Sequence, residues 1–179
     1  EGMRRHTDEC RFRGYPFAAD PSQQLARMDG DDIKPLIEGA EYLFTNEYEA
    51  ALIEQKTGWT AADLAAIVNV RIITLGPDGA RIERRGCDPV LVGVPEEESK
   101  ADPTGVGDAF RAGFLAGQSW GLSDERSAQV GSLVATYVIE TIGTQEYQLA
   151  QQHFLQRLAT AYGDDAAAEI NQHVSCPRP

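Results

Sequence analysis

Asp102-Pro103-Thr104-Gly105-Val106-Gly107-Asp108-Ala109-Phe110-Arg111-Ala112-Gly113 is the stretch from which the rest of this 179-residue sequence can be read. A glycine-rich turn opens directly into a segment whose apolar residues recur at helical spacing as far as Gly117. Gly105 and Gly107 let the backbone bend tightly and approach a ligand. The first amides of the helix have no partner inside it. Together with the helix dipole they make an anion site that needs no cationic side chain. No Gly-Lys-Ser/Thr follows, so this is not a Walker A loop, and the third glycine of a dinucleotide fingerprint is missing. Asp108 is out of place if phosphate alone is bound, because a carboxylate repels it. Two readings of Asp108 stay open at this point. It is a general base taking a hydroxyl proton as that oxygen attacks a γ-phosphate, or a dipole partner in the first turn worth ~0.3–1 kcal/mol.

Upstream, strand and helix signals alternate. Arg13 to Asp20 reads as a short buried strand ended by Asp-Pro, Ser22 to Met28 as one or two helical turns, and Asp31 to Gly39 as a helix. Pro35 counts against that helix, since proline is tolerated only in a first turn. Tyr42–Thr45 is a compact strand followed by a helix from Glu47 to Lys56, and Thr60 to Asp63 fits a capping box before a run to Val68. Arg71–Leu75 is β-branched, and Gly76-Pro-Asp-Gly79 turns it into Ala80–Arg84, with another strand at Val90–Val94. Downstream, Asp124 to Ile139 and Ala150 to Tyr162 are helical. The pattern is that of a layered α/β domain. Residues 1–170 form the expected domain, and 171–179 have no periodicity and read as a disordered tail.

Composition narrows the function classes. The hydrophobic share of 42% against 25% charged residues is the balance of an ordinary folded domain. Sixteen Lys and Arg against 28 Asp and Glu leave a net charge of −12, a field that repels nucleic acid and anionic membranes. No run of ~18 apolar residues and no signal-peptide layout is present. Cys10, Cys87 and Cys176 give neither a disulfide framework nor metal spacing, so a reducing, cytoplasmic compartment is expected. The opening Glu1-Gly2-Met3-Arg4 has no obvious start, which raises the expectation of a missing upstream part.

The stretch Asp102 to Phe110 closely resembles the signature D-T-x-G-x-G-D-x-F of the ribokinase-like, or PfkB, family of sugar and nucleoside kinases. Two further landmarks stand in order: Asn46-Glu47-Tyr48-Glu49 resembles the family's N-x-x-E element, and Thr74-Leu-Gly76-Pro-Asp-Gly79 its T-x-G-x-x-G turn. Ile142-Gly143-Thr144-Gln145 resembles its small-residue loop beside the nucleotide. The wording of Phe17–Leu25 and of Asp102–Gly113 is most similar to bacterial, especially actinobacterial, adenosine kinases. The 13 Arg against 3 Lys agree with a GC-rich source of that kind.

That resemblance implies a ribokinase-like α/β/α fold with a mainly parallel sheet, here without its N-terminal part and lid. It implies ATP-dependent phosphorylation of the adenosine 5′-hydroxyl, a purine-salvage reaction, with a sugar such as ribose or fructose as the alternative acceptor. Asp108 falls on the catalytic base, and Gly105, Val106 and Gly107 on the anion hole. Thr74, Gly76, Gly79 and Gly143 fall on nucleotide contacts. Asn46 and Glu49 take the role of organising Mg²⁺, although the bland reading is a helix N-cap with acids in its first turn. A K⁺ site is implied near Asp102, with Val138, Thr141 and Gly143; Pro103 stands where the family has Thr and weakens that part. A homodimer, a requirement for the missing N-terminal half, and a nucleotide-binding fragment without turnover complete the expectations.

Overall fold

The computed structural model describes residues 2–174. Five strands, β1 (Ala18–Ala19), β2 (Tyr42–Asn46), β3 (Val70–Thr74), β4 (Ala80–Arg84) and β5 (Val90–Val92), lie side by side in that order. β1, β2 and β3 are parallel, with Phe44 opposite Ile72 and Asn46 opposite Thr74. Parallel neighbours need long crossovers; here helix α2 (Gly30–Ile37) links the first pair, and α3 (Glu47–Thr57) with α4 (Ala61–Ile67) the second. The link from Thr74 to Ala80 is too short for a crossover, so β3 and β4 run antiparallel and the sheet is mixed.

The described residues divide into two compact units, 2–76 with 81–90 and 77–80 with 91–174. In the first, Leu25, Ile33, Ile37, Leu43, Ile53 and Leu64 form a core in which no side chain is more than 1% exposed. That burial explains Pro35: it stands beyond the first turn of α2, yet Ile33, Leu36 and Ile37 around it are all buried. Tertiary packing overrides the local penalty. Arg71 is the buried exception in β3, 3% exposed, with Nη2 2.8 Å from Glu54 and Nη1 3.5 Å from Glu83. Helix α1 (Gly2–Arg13) buries none of its residues and leaves Phe12 87% exposed, so it carried no apolar stripe to announce it.

The second unit is helical: α5 (Val106–Ser119), α6 (Asp124–Ile139), α7 (Gln151–Tyr162) and α8 (Asp164–Val174). Helix α8 takes in residues 171–174, which the sequence pattern had left to a tail; residues 175–179 lie outside the described part. α5 and α6 pack backbone to backbone. A Cβ on Gly113 would lie 2.7 Å from Gly131 Cα, and one on Gly117 would lie 2.7 Å from Ser127 Cα. Phe110 and Phe114, four residues apart on α5, are buried with ring centroids 6.3 Å apart.

Gly131→Val tests this contact, because its Cβ would stand 2.7 Å from the Phe110 carbonyl oxygen. The helices must then separate, and the expected cost is about 1–3 kcal/mol, read as a lower Tm in a thermal melt. An unchanged Tm would contradict the packing.

Candidate active site

In the second unit the signature turn has a specific build. Gly105 is the N-cap of α5 with φ 83°, the left-handed region, and no side chain caps the helix. A Cβ at Gly105 would stand 2.8 Å from Thr144 Cγ2, so both the dihedral and the space require glycine. Gly107 differs from the expectation that both glycines serve the bend. Its φ is not left-handed, and a Cβ there would meet Arg111 Nη1 at 3.1 Å. The Val106 amide makes one long bond, 3.4 Å, to the Pro103 carbonyl, and the first-turn amides receive no side-chain cap. A ligand anion is the natural partner for such a helix start.

Asp108 is on the first turn of α5, its side chain 85% exposed. Its Oδ1 accepts from Arg111 Nη1 at 2.9 Å, a helix pair one turn apart. The sequence reading passed over Arg111, though the i, i+3 spacing of opposite charges was visible. Asp102 Oδ1 accepts from the Thr104 amide at 2.9 Å. Bonds from Thr104, and from the Gly143 amide, hold the Asp102 carboxyl below its ordinary value. The structure therefore brings Asp102, Gly105 and the Gly143–Thr144 loop together. The carbonyl of Ile139 supports the approach, accepting from the Ala101 amide at 2.8 Å and the Asp102 amide at 3.2 Å. Gly79 has a purely structural reason to be glycine: φ is 96°, and a Cβ would collide with the Val92 carbonyl at 2.0 Å.

The backbone of the acidic loop Glu96 to Glu98 is anchored. The Glu98 amide donates to Glu140 Oε1 at 2.8 Å, and Arg157 Nη2 donates to the Glu96 carbonyl at 3.0 Å. Burial opposes ionisation of Glu140, but the Arg157 guanidinium and the Glu98 amide outweigh it and hold the carboxyl below its ordinary value.

In the first unit, Asn46 caps α3 and forms a full capping box. Its Oδ1 accepts from the Glu49 amide at 2.8 Å, and Glu49 Oε2 accepts from the Asn46 amide at 2.9 Å. The bland reading of this pair is thus realised, and Glu49 is buried within it. Thr74 stands across from Asn46 in the β2–β3 register, its hydroxyl 3.5 Å from the Thr45 carbonyl, and Gly76 follows in a short 3₁₀ turn. Asn46 and Glu49 line a cleft of about 550 Å³ together with Ser22, Gln24, Arg27 and Tyr48. Ser22 is the one non-glycine residue with positive φ, 47°, among the described residues. Such strain gathers at functional sites, and the sequence reading had placed no function on Ser22–Arg27. Among the described residues no three His, Cys, Asp or Glu side chains cluster as metal ligands. The oxygens of Asn46 and Glu49 nonetheless suit Mg²⁺, a hard cation that keeps most of its water. No described helix is long and apolar enough to cross a membrane.

The family model described as pfkB family carbohydrate kinase matches residues 4–151. A nucleoside kinase of Methanocaldococcus jannaschii is 29% identical over 126 residues, covering 70% of this chain and 41% of that protein. The structure of Burkholderia thailandensis nucleoside kinase in complex with inosine superposes with a TM-score of 0.86 at 38% identity, over 90% of this chain and 54% of its own. The adenosine kinase from Sinorhizobium meliloti gives a TM-score of 0.68 at 28% identity, over 89% of this chain and 48% of its own. The chain spans about half the length of these relatives.

The depressed Glu140 carboxyl makes a prediction about pH. Its stabilising contribution is full above the unfolded value of 4.5 and is lost as pH falls through the lower folded value. The destabilisation of Glu140→Gln relative to wild type, measured by urea unfolding, should be largest near neutral pH and shrink in acid. A penalty independent of pH would contradict the assignment.

Proposed function

The chain belongs to the pfkB carbohydrate kinase family, and from that premise we propose that it carries the phosphate-holding and proton-accepting part of an ATP-dependent kinase. The acceptor in this reading is the 5′-hydroxyl of adenosine. The observation that carries it is the build of α5: a helix N-terminus whose amides no side chain caps, with Asp108 in the first turn.

The residues divide the work by chemistry. The amides of Val106, Gly107 and Asp108 receive the negative charge that collects on the transferring phosphoryl oxygens, as preorganised donors do for other oxyanions. Arg111 holds Asp108 Oδ1, so that the exposed Oδ2 is left to accept the hydroxyl proton. As that proton moves to Asp108, the 5′-oxygen bonds to the γ-phosphorus and the bond from phosphorus to the β–γ bridging oxygen breaks, releasing ADP. Thr74, Gly76, Gly79 and Gly143 serve as nucleotide contacts in this reading. Mg²⁺, when bound, neutralises phosphate charge; Asn46 and Glu49 would hold it through its waters, while Asp102 with the carbonyls near Val138 and Thr141 would serve K⁺.

Adenosine is favoured by the likeness to an adenosine kinase and to a nucleoside kinase solved with inosine. The family's description as carbohydrate kinases favours a sugar acceptor as the second reading. The protein works in the cytoplasm in this account, and β1, two residues long and among the described residues paired with β2 alone, is where a further part of the sheet would dock.

The test is ADP release from ATP–Mg²⁺ by the full-length protein, with adenosine, ribose and fructose offered separately. Adenosine should be the productive acceptor, and Asp108→Asn should lose about 10²- to 10⁴-fold in turnover while still binding ATP. A fully active Asp108→Asn variant would overturn its role, and turnover with a sugar alone would overturn the acceptor.

A further inference from the structure

We propose that the Glu140–Arg157 ion pair is a positioning device for the phosphate turn, setting the spacing between the segment that leads into Gly105–Asp108 and the loop that carries Gly143 and Thr144. Neither residue touches the turn. Both act through the backbone, and the inference rests on the reading of that turn as the nucleotide-phosphate site.

The pair is built as a junction. Arg157, on α7, makes two bonds to Glu140, 2.7 Å to Oε1 and 2.8 Å to Oε2, a geometry that fixes orientation as well as charge. The two side chains are 10% and 11% exposed. The guanidinium also stands 4.7 Å above the Tyr137 ring, so its position is set from α6 as well. From this centre two arms leave. One is the segment after β5: its Glu96 carbonyl is held by Arg157 and its Glu98 amide by Glu140, and Ala101 and Asp102 then bond to the carbonyl of Ile139. The other begins at Glu140 itself, where α6 ends, and runs through Thr141 to the Gly143–Thr144 loop. Thr141 is tied back by its amide to Val138 and by its hydroxyl to Tyr137.

The arms meet again at the turn, where Gly105 faces Thr144 with no room for a Cβ. The loop between the two meeting points is closed at one end by the ion pair and at the other by the glycine contact. Removing Arg157 leaves a nearly buried carboxylate without its guanidinium partner, and Glu140 must then move toward water. Any such movement is transmitted to residues 96–102 on one side and 141–144 on the other.

The experiment measures ADP–Mg²⁺ affinity by calorimetry, and melting temperature, for the full-length protein. The variants are Arg157→Met, Arg157→Lys, Glu140→Asp and, as a control, Arg126→Met. Arg126 pairs with Glu169 at 2.9 Å, near the other end of α6, and should cost stability without touching the turn. Arg157→Met and Glu140→Asp should bind ADP about tenfold or more weakly, a loss of about 1.4 kcal/mol or more. Arg157→Lys should restore part of the affinity, and Arg126→Met should lower Tm with ADP affinity unchanged. Wild-type affinity in a folded Arg157→Met or Glu140→Asp protein would overturn the proposal. If Arg157→Met does not fold, Glu140→Asp decides by the same readout. Failure of the wild type to bind ADP would instead overturn the nucleotide reading, and the inference with it.

Discussion

A side chain at residue 105 has nowhere to go. The backbone there is left-handed, and a Cβ would stand 2.8 Å from the Thr144 methyl group. This constraint forces the polypeptide to present bare amides at the start of α5, and a helix start with bare amides attracts anions. The net charge of −12 does not prevent this, because the attraction is local while the overall field is screened over about 8–10 Å at physiological salt. Asp108, on that same first turn, is in the proposed reading the group that meets the acceptor hydroxyl.

The two units use buried charge differently from buried apolar area. The cores are aliphatic and aromatic, but β3 carries Arg71 between Glu54 and Glu83, and the end of α6 carries Glu140 against Arg157. Pairs of this kind add little net stability against an apolar replacement, yet losing one partner strands the other. They specify a geometry more than they strengthen the fold. That is what a turn whose donors are uncapped backbone amides needs.

Much of the fold was legible because periodicity and capping chemistry are local signals. The strands read at 42–45, 71–75 and 80–84 stand within one residue of those bounds, at 42–46, 70–74 and 80–84; the capping box at Thr60 is present, and the N-cap read at Asn46 proves to be a full capping box as well. What escaped was set by distance or by charge. Helix α1 buries nothing and so has no stripe to read. Helix α8 was hidden behind a short break at Gly163. The candidate site divides the same way. Asp108 and its glycines are contiguous and could be recognised as a motif, whereas Thr144 against Gly105 and Arg157 against Glu140 are contacts across long stretches of chain with no spacing rule to reveal them. Arg111 was within reach, one turn from Asp108, and was missed only because the motif drew attention to glycine.

Binding of phosphate by the backbone amides at the start of α5 is the claim on which the whole account stands. Amide-resolved ¹H–¹⁵N NMR during titration with ADP–Mg²⁺ reads it directly. The account predicts that the amides of Val106, Gly107 and Asp108 shift together and saturate with the ligand, with Thr144 following as its contact with Gly105 tightens. Saturable ADP binding that leaves those three amides unmoved would contradict it.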